Sequence, residues 1–382
     1  MFFLGFSLII MGVLGIIFSL TQAALRYLLE GRSLHRMRYL LLTLDALLLL
    51  LLLFAWRRHD ETLSGYIVLI ASILLMAQLI CSVLVLLTAA VRGIWRCIAA
   101  QPVDAHRRRI LAGAIGYPLF ASAAGLYGGL WERDRTVTRH FDIPIAGIDD
   151  DLDGYCIAQV SDVHLGSHFS LERLEQLLTQ IAASRPDALV ITGDLFDSVA
   201  MNDAAVAIVD RFTAQFPDGI YFCWGNHEYY RNQPHIAALL QKTRIHVLQN
   251  ANACIRDGTV PLYFAGVDYP MDRAHFEEQE RAYAEEAFRE IPENAATVLL
   301  AHHSIFIDDG RAHGARLVLT GHTHGGQIGL FGIPLLPLHF KYMRGVYESG
   351  NCFGYVHSGN GSWFPYRLGC PPETAYFTLR KK

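Results

Sequence analysis

The stretch ALVITGDLFD (Ala188–Asp197), followed by IYFCWGNHE (Ile220–Glu228), decides the fold of the C-terminal part of this 382-residue chain. Each opens as a short, unbroken apolar run, which reads as a strand buried on both faces. Each then breaks at a glycine and passes directly to side chains able to hold a cation: Asp194 in one, Asn226 and His227 in the other. The same grammar recurs outward along the chain. Tyr155–Val160 runs into SDVH (Asp162, His164), Thr297–Ala301 into LLAHHS (His302), and Arg316–Thr320 into LTGHTHGG (His322, His324). Between these runs, Leu171–Ser184, Asp203–Phe216 and Pro234–Thr243 carry apolar residues at helical spacing, and Pro186 stops the first of them. Strands alternating with helices predict an α/β domain. In such domains the carboxyl ends of the strands are where ligands bind, and that is where these residues fall.

The front of the chain is a different material. Residues 1–131 hold 11 Arg, no Lys and 5 acids, a net +6, which leaves −10 for the remainder. Four apolar runs, Met1–Leu25, Tyr39–Trp56, Thr62–Val91 and Ile110–Trp131, each approach the ~20 residues that a helix needs to cross a bilayer. Four transmembrane helices in 1–131, a linker at 132–154 and a catalytic domain at 155–382 are therefore expected. The acidic back half argues against nucleic acid as a partner, since phosphate neutralisation needs a basic surface. Seven cysteines show no zinc-ribbon spacing.

Taken together, the blocks D-x-H, G-D, G-N-H-[DE], a lone H and G-H-x-H resemble the calcineurin-like metallophosphoesterase superfamily, over about 60% of the chain. The helices ahead of the domain and the tail GSWFPYRLGCPPE (Gly361–Glu373) resemble its membrane-attached branch. That branch includes transmembrane proteins with a metallophosphoesterase domain and relatives of UDP-2,3-diacylglucosamine pyrophosphatases. The resemblance implies a β-sandwich flanked by helices and a pair of divalent cations. Asp162, His164 and His324 would hold one, Asn226, His302 and His322 the other, and Asp194 would bridge them. It further implies that His227 is catalytic, contacting a phosphoryl oxygen or protonating the leaving group, with Asp194 also counted as catalytic. Oxygen and imidazole ligands without thiolate favour manganese, then iron or zinc. Two such cations can clamp the attacking and leaving oxygens of a phosphoryl displacement. Asp197 and Glu228 are read either as partners orienting the ligand rings or as solvated acids, His303 as an alternative to His302, and Gly193, Gly225, Gly321, Gly325 and Gly326 as tight-turn residues.

The expected function is hydrolysis of a phosphodiester or pyrophosphate bond at a bilayer, in a lipid-linked substrate such as the UDP-2,3-diacylglucosamine of lipid A synthesis. The alternatives are a phosphomonoesterase, or a silent sensor, which would be expected to lack ligands that this chain retains. The apolar segment Leu330–Met343, with Lys341 inside it and Arg344 directly after it, reads either as a lipid-facing lip or as a loop covering its own domain. Loops one and three carry nine arginines against two in loop two, which places both ends of the chain outside the cytoplasm of a bacterial inner membrane. A nucleotide-linked substrate belongs on the opposite side. A reporter fused after Lys382 should therefore be active only in a form that works outside the cytoplasm; a cytoplasmic signal overturns the arginine count.

Overall fold

The computed structural model describes residues 15–17, 19–26, 32–57, 61–98, 106–330, 333–335 and 340–382. The chain divides into two compact units, Met1–Trp131 and Glu132–Lys382.

The first unit is helical, with Arg32–Arg57, Glu61–Ile98 and His106–Leu130 as its long elements. Among the described residues one helix, at Leu63–Ile94, is long and apolar enough to cross a membrane. Tyr39–Trp56 and Ile110–Trp131 are largely helical as well, and most of Met1–Leu25 lies outside the described residues. The unit leaves Leu47, Ile70, Leu87, Leu119 and Phe120 exposed, an apolar surface that suits hydrocarbon better than water. Gly125 and Gly129 face Ile73 and Ala77, so two helices approach closely, and Thr88 Oγ1 lies 2.8 Å from Tyr117 Oη.

The second unit is a sandwich of two six-stranded mixed sheets. Its strands are β1 (Val137–Ile145), β2 (Cys156–Val160), β3 (Ala188–Thr192), β4 (Ile220–Cys223), β5 (His246–Val247), β6 (Ala251–Arg256), β7 (Leu262–Gly266), β8 (Ala296–Leu300), β9 (Leu317–Thr320), β10 (Gly329–Leu330), β11 (Ile333–Pro334), β12 (Gly345–Ser349), β13 (Cys352–Val356) and β14 (Glu373–Lys381). One sheet runs β1-β14-β2-β3-β4-β5 and the other β12-β13-β9-β8-β7-β6, while β10 and β11 form a separate hairpin. Ile157, Val190, Cys223 and Phe377 of the first sheet meet Phe264, Val298, Leu319 and Tyr355 of the second in a buried layer. Helix Leu171–Ala183 covers the outer face of the first sheet with Leu174, Leu177, Leu178 and Ile181, the one-sided spacing that its sequence shows. Its N-terminus is capped by Ser170, whose side chain accepts from Arg173 N at 3.2 Å. Helices Phe276–Ala287 and Phe306–Ala312 cover the second sheet.

Residues 132–154, expected as a linker, instead contain β1, which pairs in parallel with β14 along nine residues and buries Ile143 and Ile145. Its outward Thr138, Arg139, His140 and Asp142 hide the alternation, and Pro144 is tolerated because β1 is an edge strand. β14, too, escapes a reading based on loop motifs, although it is buried and central. The Leu330–Met343 segment starts with the β10–β11 hairpin; Leu330, Ile333 and Leu335 are exposed, and 331–332 and 336–339 lie outside the described residues.

Phe377 ties the two sheets together: its ring lies 5.4 Å from Phe141 and 5.1 Å from Tyr355, and it is fully buried. Phe377→Ala should cost about 3–5 kcal/mol of stability. A thermal melt of the full chain in detergent that stayed within experimental error of the parent would contradict this account of the core.

Candidate metal centre

Both sheets deliver the loops that carry the candidate ligands to one end of the sandwich. Asp162 and His164 follow β2, Asp194 and Asp197 follow β3, and Asn226 and His227 follow β4; from the other sheet His302 follows β8, and His322 and His324 follow β9. Three groupings place ligand atoms within 4.8 Å of one another: Asp162 with His164 and His324, Asp194 with His302 and His322, and His164 with Asp194 and His227. Asp194 Oδ2 sits between the first two, 3.1 Å from His302 Nε2 and 3.7 Å from His164 Nε2. Within the groups, His164 Nε2 lies 2.9 Å from His324 Nε2, His324 Nε2 lies 3.4 Å from Asp162 Oδ1, and His322 Nδ1 lies 3.2 Å from His302 Nε2. So many lone pairs turned toward one another, and away from water, call for positive charge between them.

Two further observations fit cations. Asn226 Oδ1, an atom that can only accept, is buried without a hydrogen-bond partner among the described residues. His302 Nδ1 donates to the Thr192 carbonyl at 2.8 Å, which turns Nε2 toward Asp194; although burial opposes it, the Asp194 carboxylate raises the ring's pKa to about 10, so Nε2 holds the proton that a cation would displace. The donor set contains no thiolate and suits hard to intermediate divalent metals.

The loops reach this geometry through unusual backbone. Asp162, His164, Asp194, His322 and His324 all adopt left-handed conformations, with φ between 50° and 70°. For residues bearing a β-carbon this costs roughly 1–2 kcal/mol each, a strain that surrounding contacts must hold. Gly225 and Gly321 serve a purpose other than turning. Neither has positive φ, but a β-carbon at Gly225 would strike Asp194 Oδ1 and one at Gly321 would strike Asp162 Oδ2.

Glu228 supplies much of the restraint, and in a way that the sequence does not show. It touches no ligand ring. Fully buried, its carboxylate accepts four backbone N–H groups, from Asp194 (3.0 Å), Leu195 (2.7 Å), Phe196 (3.1 Å) and Gly225 (2.8 Å), and so binds the loops after β3 and β4 to each other. Burial pushes its pKa up to about 7, with the charge of Asp194 acting the same way, while the amide bonds pull it back. Asp197 orients one ring, its Oδ1 lying 2.9 Å from His227 Nδ1; its Oδ2 approaches His164 Nδ1 only to 3.5 Å, and Arg231 Nη2 lies at 2.8 Å. Burial alone would raise the Asp197 carboxyl, but the two imidazoles hold it below the usual range. For Asp194 burial likewise raises, and His302, His227 and His164 together outweigh it and drive the pKa well down. His322 and His324 are pushed well below the normal imidazole value, first by burial and then by neighbouring cationic groups.

His303 lies apart from the ligand atoms, its ring against Tyr269, Phe276, His322 and Phe340. Sequence reasoning passed over Tyr269, whose hydroxyl is 3.5 Å from His322 Nε2, and Arg367. Arg367 is wholly buried and donates to Ser358 O (2.7 Å), Ser362 Oγ (2.8 Å) and Cys370 O (2.9 Å), buttressing the segment beside His324. The quoted tail GSWFPYRLGCPPE contained it, but only its place beneath His324 shows what it does. Cys352 and Cys370 are free thiols.

A family model described as calcineurin-like phosphoesterase matches residues 156–326. An uncharacterized metallophosphoesterase of Aquifex aeolicus is 31% identical over 232 residues, covering 59% of this chain and 85% of that protein. One from Campylobacter jejuni is 30% identical over 251 residues, covering 63% of this chain and 62% of its own. A Bos taurus protein named transmembrane protein with metallophosphoesterase domain is 28% identical over 301 residues, covering 75% and 66%. This chain belongs to the calcineurin-like metallophosphoesterase family. It spans about three fifths of the length of the Campylobacter relative.

Glu228→Gln puts amide hydrogens against backbone N–H groups that need an acceptor, a loss on the order of 2–4 kcal/mol. The variant should melt several degrees lower and bind less divalent metal; unchanged melting and metal content would show that the four amide bonds do not hold the loops.

Proposed function

We propose that this chain is a membrane-attached hydrolase that uses two divalent cations to cleave a phosphodiester or pyrophosphate bond. The observation that carries the reading is the position of Asp194 Oδ2 between two histidine groups, 3.1 Å from His302 and 3.7 Å from His164. In this reading Asp162, His164 and His324 hold one cation, Asn226, His302 and His322 the other, and Asp194 spans both. Manganese is the first choice for the pair, ahead of iron and zinc. When bound, the cations supply Lewis-acid charge and an activated water for attack on phosphorus.

The chain's own groups do the rest. Asp162 is fixed by Ser161 Oγ at 2.6 Å and by the His322 amide at 3.0 Å, so its ligand oxygen does not wander. Asp194 Oδ1 accepts the His227 amide at 2.8 Å, which ties the candidate acid to the bridging carboxylate. His227 is half-buried, and Asp197 accepts its Nδ1–H; against burial, the Asp194 and Asp197 carboxylates raise the ring's pKa, so the protonated ring presents Nε2–H, which can pass its proton to the departing oxygen or bind a phosphoryl oxygen.

The exposed Leu330, Ile333 and Leu335, with Phe340 packed 5.3 Å from His322, favour a substrate bearing an apolar tail. The apolar helix Leu63–Ile94 and the name of the Bos taurus relative favour a membrane protein. Four spans in a bacterial inner membrane, with the catalytic domain outside the cytoplasm, accommodate the arginine distribution. UDP-2,3-diacylglucosamine is the most concrete lipid-linked substrate suggested by the resemblance; a lipid phosphodiester or pyrophosphate reached from outside agrees better with that topology.

Full chain in detergent with Mn²⁺ should hydrolyse a chromogenic phosphodiester, and chelation should stop it. Asp194→Asn should reduce turnover to background with its melting temperature preserved. His227→Ala should keep its metal and lose about 10²–10⁴-fold in turnover. Full turnover in Asp194→Asn refutes the two-cation reading, and loss of both metals in His227→Ala refutes the division of ligands.

A further inference from the structure

A shallow cleft lined by Arg133, Asp134, His168, Phe169, Arg173, Gly361, Ser362 and Pro365 opens beside the metal centre, and the hydrolase reading leaves it without a role. Its wall is continuous with the site. Gly361 N donates to the Asp162 carbonyl at 3.0 Å, and Ser362 Oγ accepts from the Arg367 that supports His324. Two guanidinium groups meet at the cleft, and one carboxylate answers both: Asp134 lies 3.2 Å from Arg133 Nε and 2.7 Å from Arg173 Nη1. Arg133 is 17% exposed: its Nη1 is buried without a hydrogen-bond partner among the described residues, and the rest of its guanidinium lines the cleft beside Asp134. Arg173 lies over the Phe169 ring at 4.4 Å and donates to His168 O at 3.1 Å, which fixes its plane. Two guanidinium forks lining one cleft, one of them held flat and both drawn to a single exposed carboxylate, form an arrangement that can take two oxygens of one anion in its place. His168 adds no competing charge, because burial and the neighbouring Arg133 push it down to about 4.

We propose that this cleft is a phosphate-binding subsite, in which Arg133 and Arg173 hold a phosphate group distinct from the one undergoing reaction. The inference rests on the hydrolase reading for the nature of its ligand, a phosphorylated molecule. Two sources share that chemistry: the second phosphate of a pyrophosphate-linked substrate, and the headgroup of a neighbouring lipid. Arg133 follows the helix His106–Leu130 by three residues, which gives the second source its interest.

The first test is independent of turnover. Full chain in detergent, stripped of metal with EDTA, is treated with phenylglyoxal with and without millimolar inorganic pyrophosphate, and modification of Arg133 and Arg173 is read by peptide mass spectrometry. Pyrophosphate should slow modification of both several-fold, including in the Asp194→Asn background. Asp134→Asn should lower the concentration needed for protection, since it removes the competing carboxylate; a purely structural Arg–Asp pair predicts no such gain. Absence of protection, or protection that Asp134→Asn leaves unchanged, overturns the subsite.

The second test separates the sources. In Arg133→Gln/Arg173→Gln, the ratio of kcat/KM for a diester carrying a second phosphate to that for bis(p-nitrophenyl) phosphate should fall at least about tenfold, since even one of the two lost charge-assisted hydrogen bonds accounts for that much. If the ratio holds but vesicles containing phosphatidylglycerol accelerate the parent and not the double variant, the ligand is the headgroup; if neither effect appears, the subsite is refuted. A parent that hydrolyses neither substrate refutes the hydrolase reading, while the protection result still decides the cleft.

Discussion

The constraint on which the rest depends is the burial of Asp162 and Asp194 among His164, His302, His322 and His324 at one end of the sandwich. An unpaired buried carboxylate is expensive, and a set of imidazoles crowded within 3–4 Å cannot all carry protons. Asp194 is drawn far below its ordinary range by the surrounding histidines, and His322 and His324 are driven the other way from protonation. The charges are thus resolved locally by proton sharing, and divalent cations among these side chains would resolve them more completely.

That chemistry dictates the architecture around it. Candidate ligands from both sheets come together, so the loops after β2, β3, β4, β8 and β9 fold tightly inward, and five of these residues sit in left-handed backbone. Such strain survives only where neighbours determine the conformation from several sides. Glu228 does so by collecting four amides from two loops, Gly225 and Gly321 by making room where carboxylates press on backbone, and Arg367 by filling the space beneath His324. These residues act on ligands through the main chain, which is why they look ordinary beside the histidines they position.

The layered core explains how such a site can be rigid. The two sheets share one apolar layer, and amphipathic helices seal their outer faces, so the ligand loops spring from strands that are buried on both sides. Apart from this, the helical first unit presents apolar side chains outward, the reverse of a soluble helix bundle.

Much of this was legible in the chain itself. β2, β3, β4, β8 and β9 are continuous apolar runs that end in glycine, aspartate or histidine, and a strand buried on both faces has no other way to be written. The histidines and carboxylates at their ends were legible for the same reason: no apolar strand carries them by accident five times in order. β1 and the tail strands were not, since an edge strand with polar outward residues and Pro144 looks like a linker until its partner β14 is known. The tertiary structure alone decided that Glu228 binds backbone instead of rings, that Asp197 pairs with His227, that His302 and not His303 faces Asp194, and that Arg133 and Arg173 share a cleft with Gly361. Those are contacts between residues that are distant in sequence, and a one-dimensional pattern records which groups are present while only packing selects which of them meet.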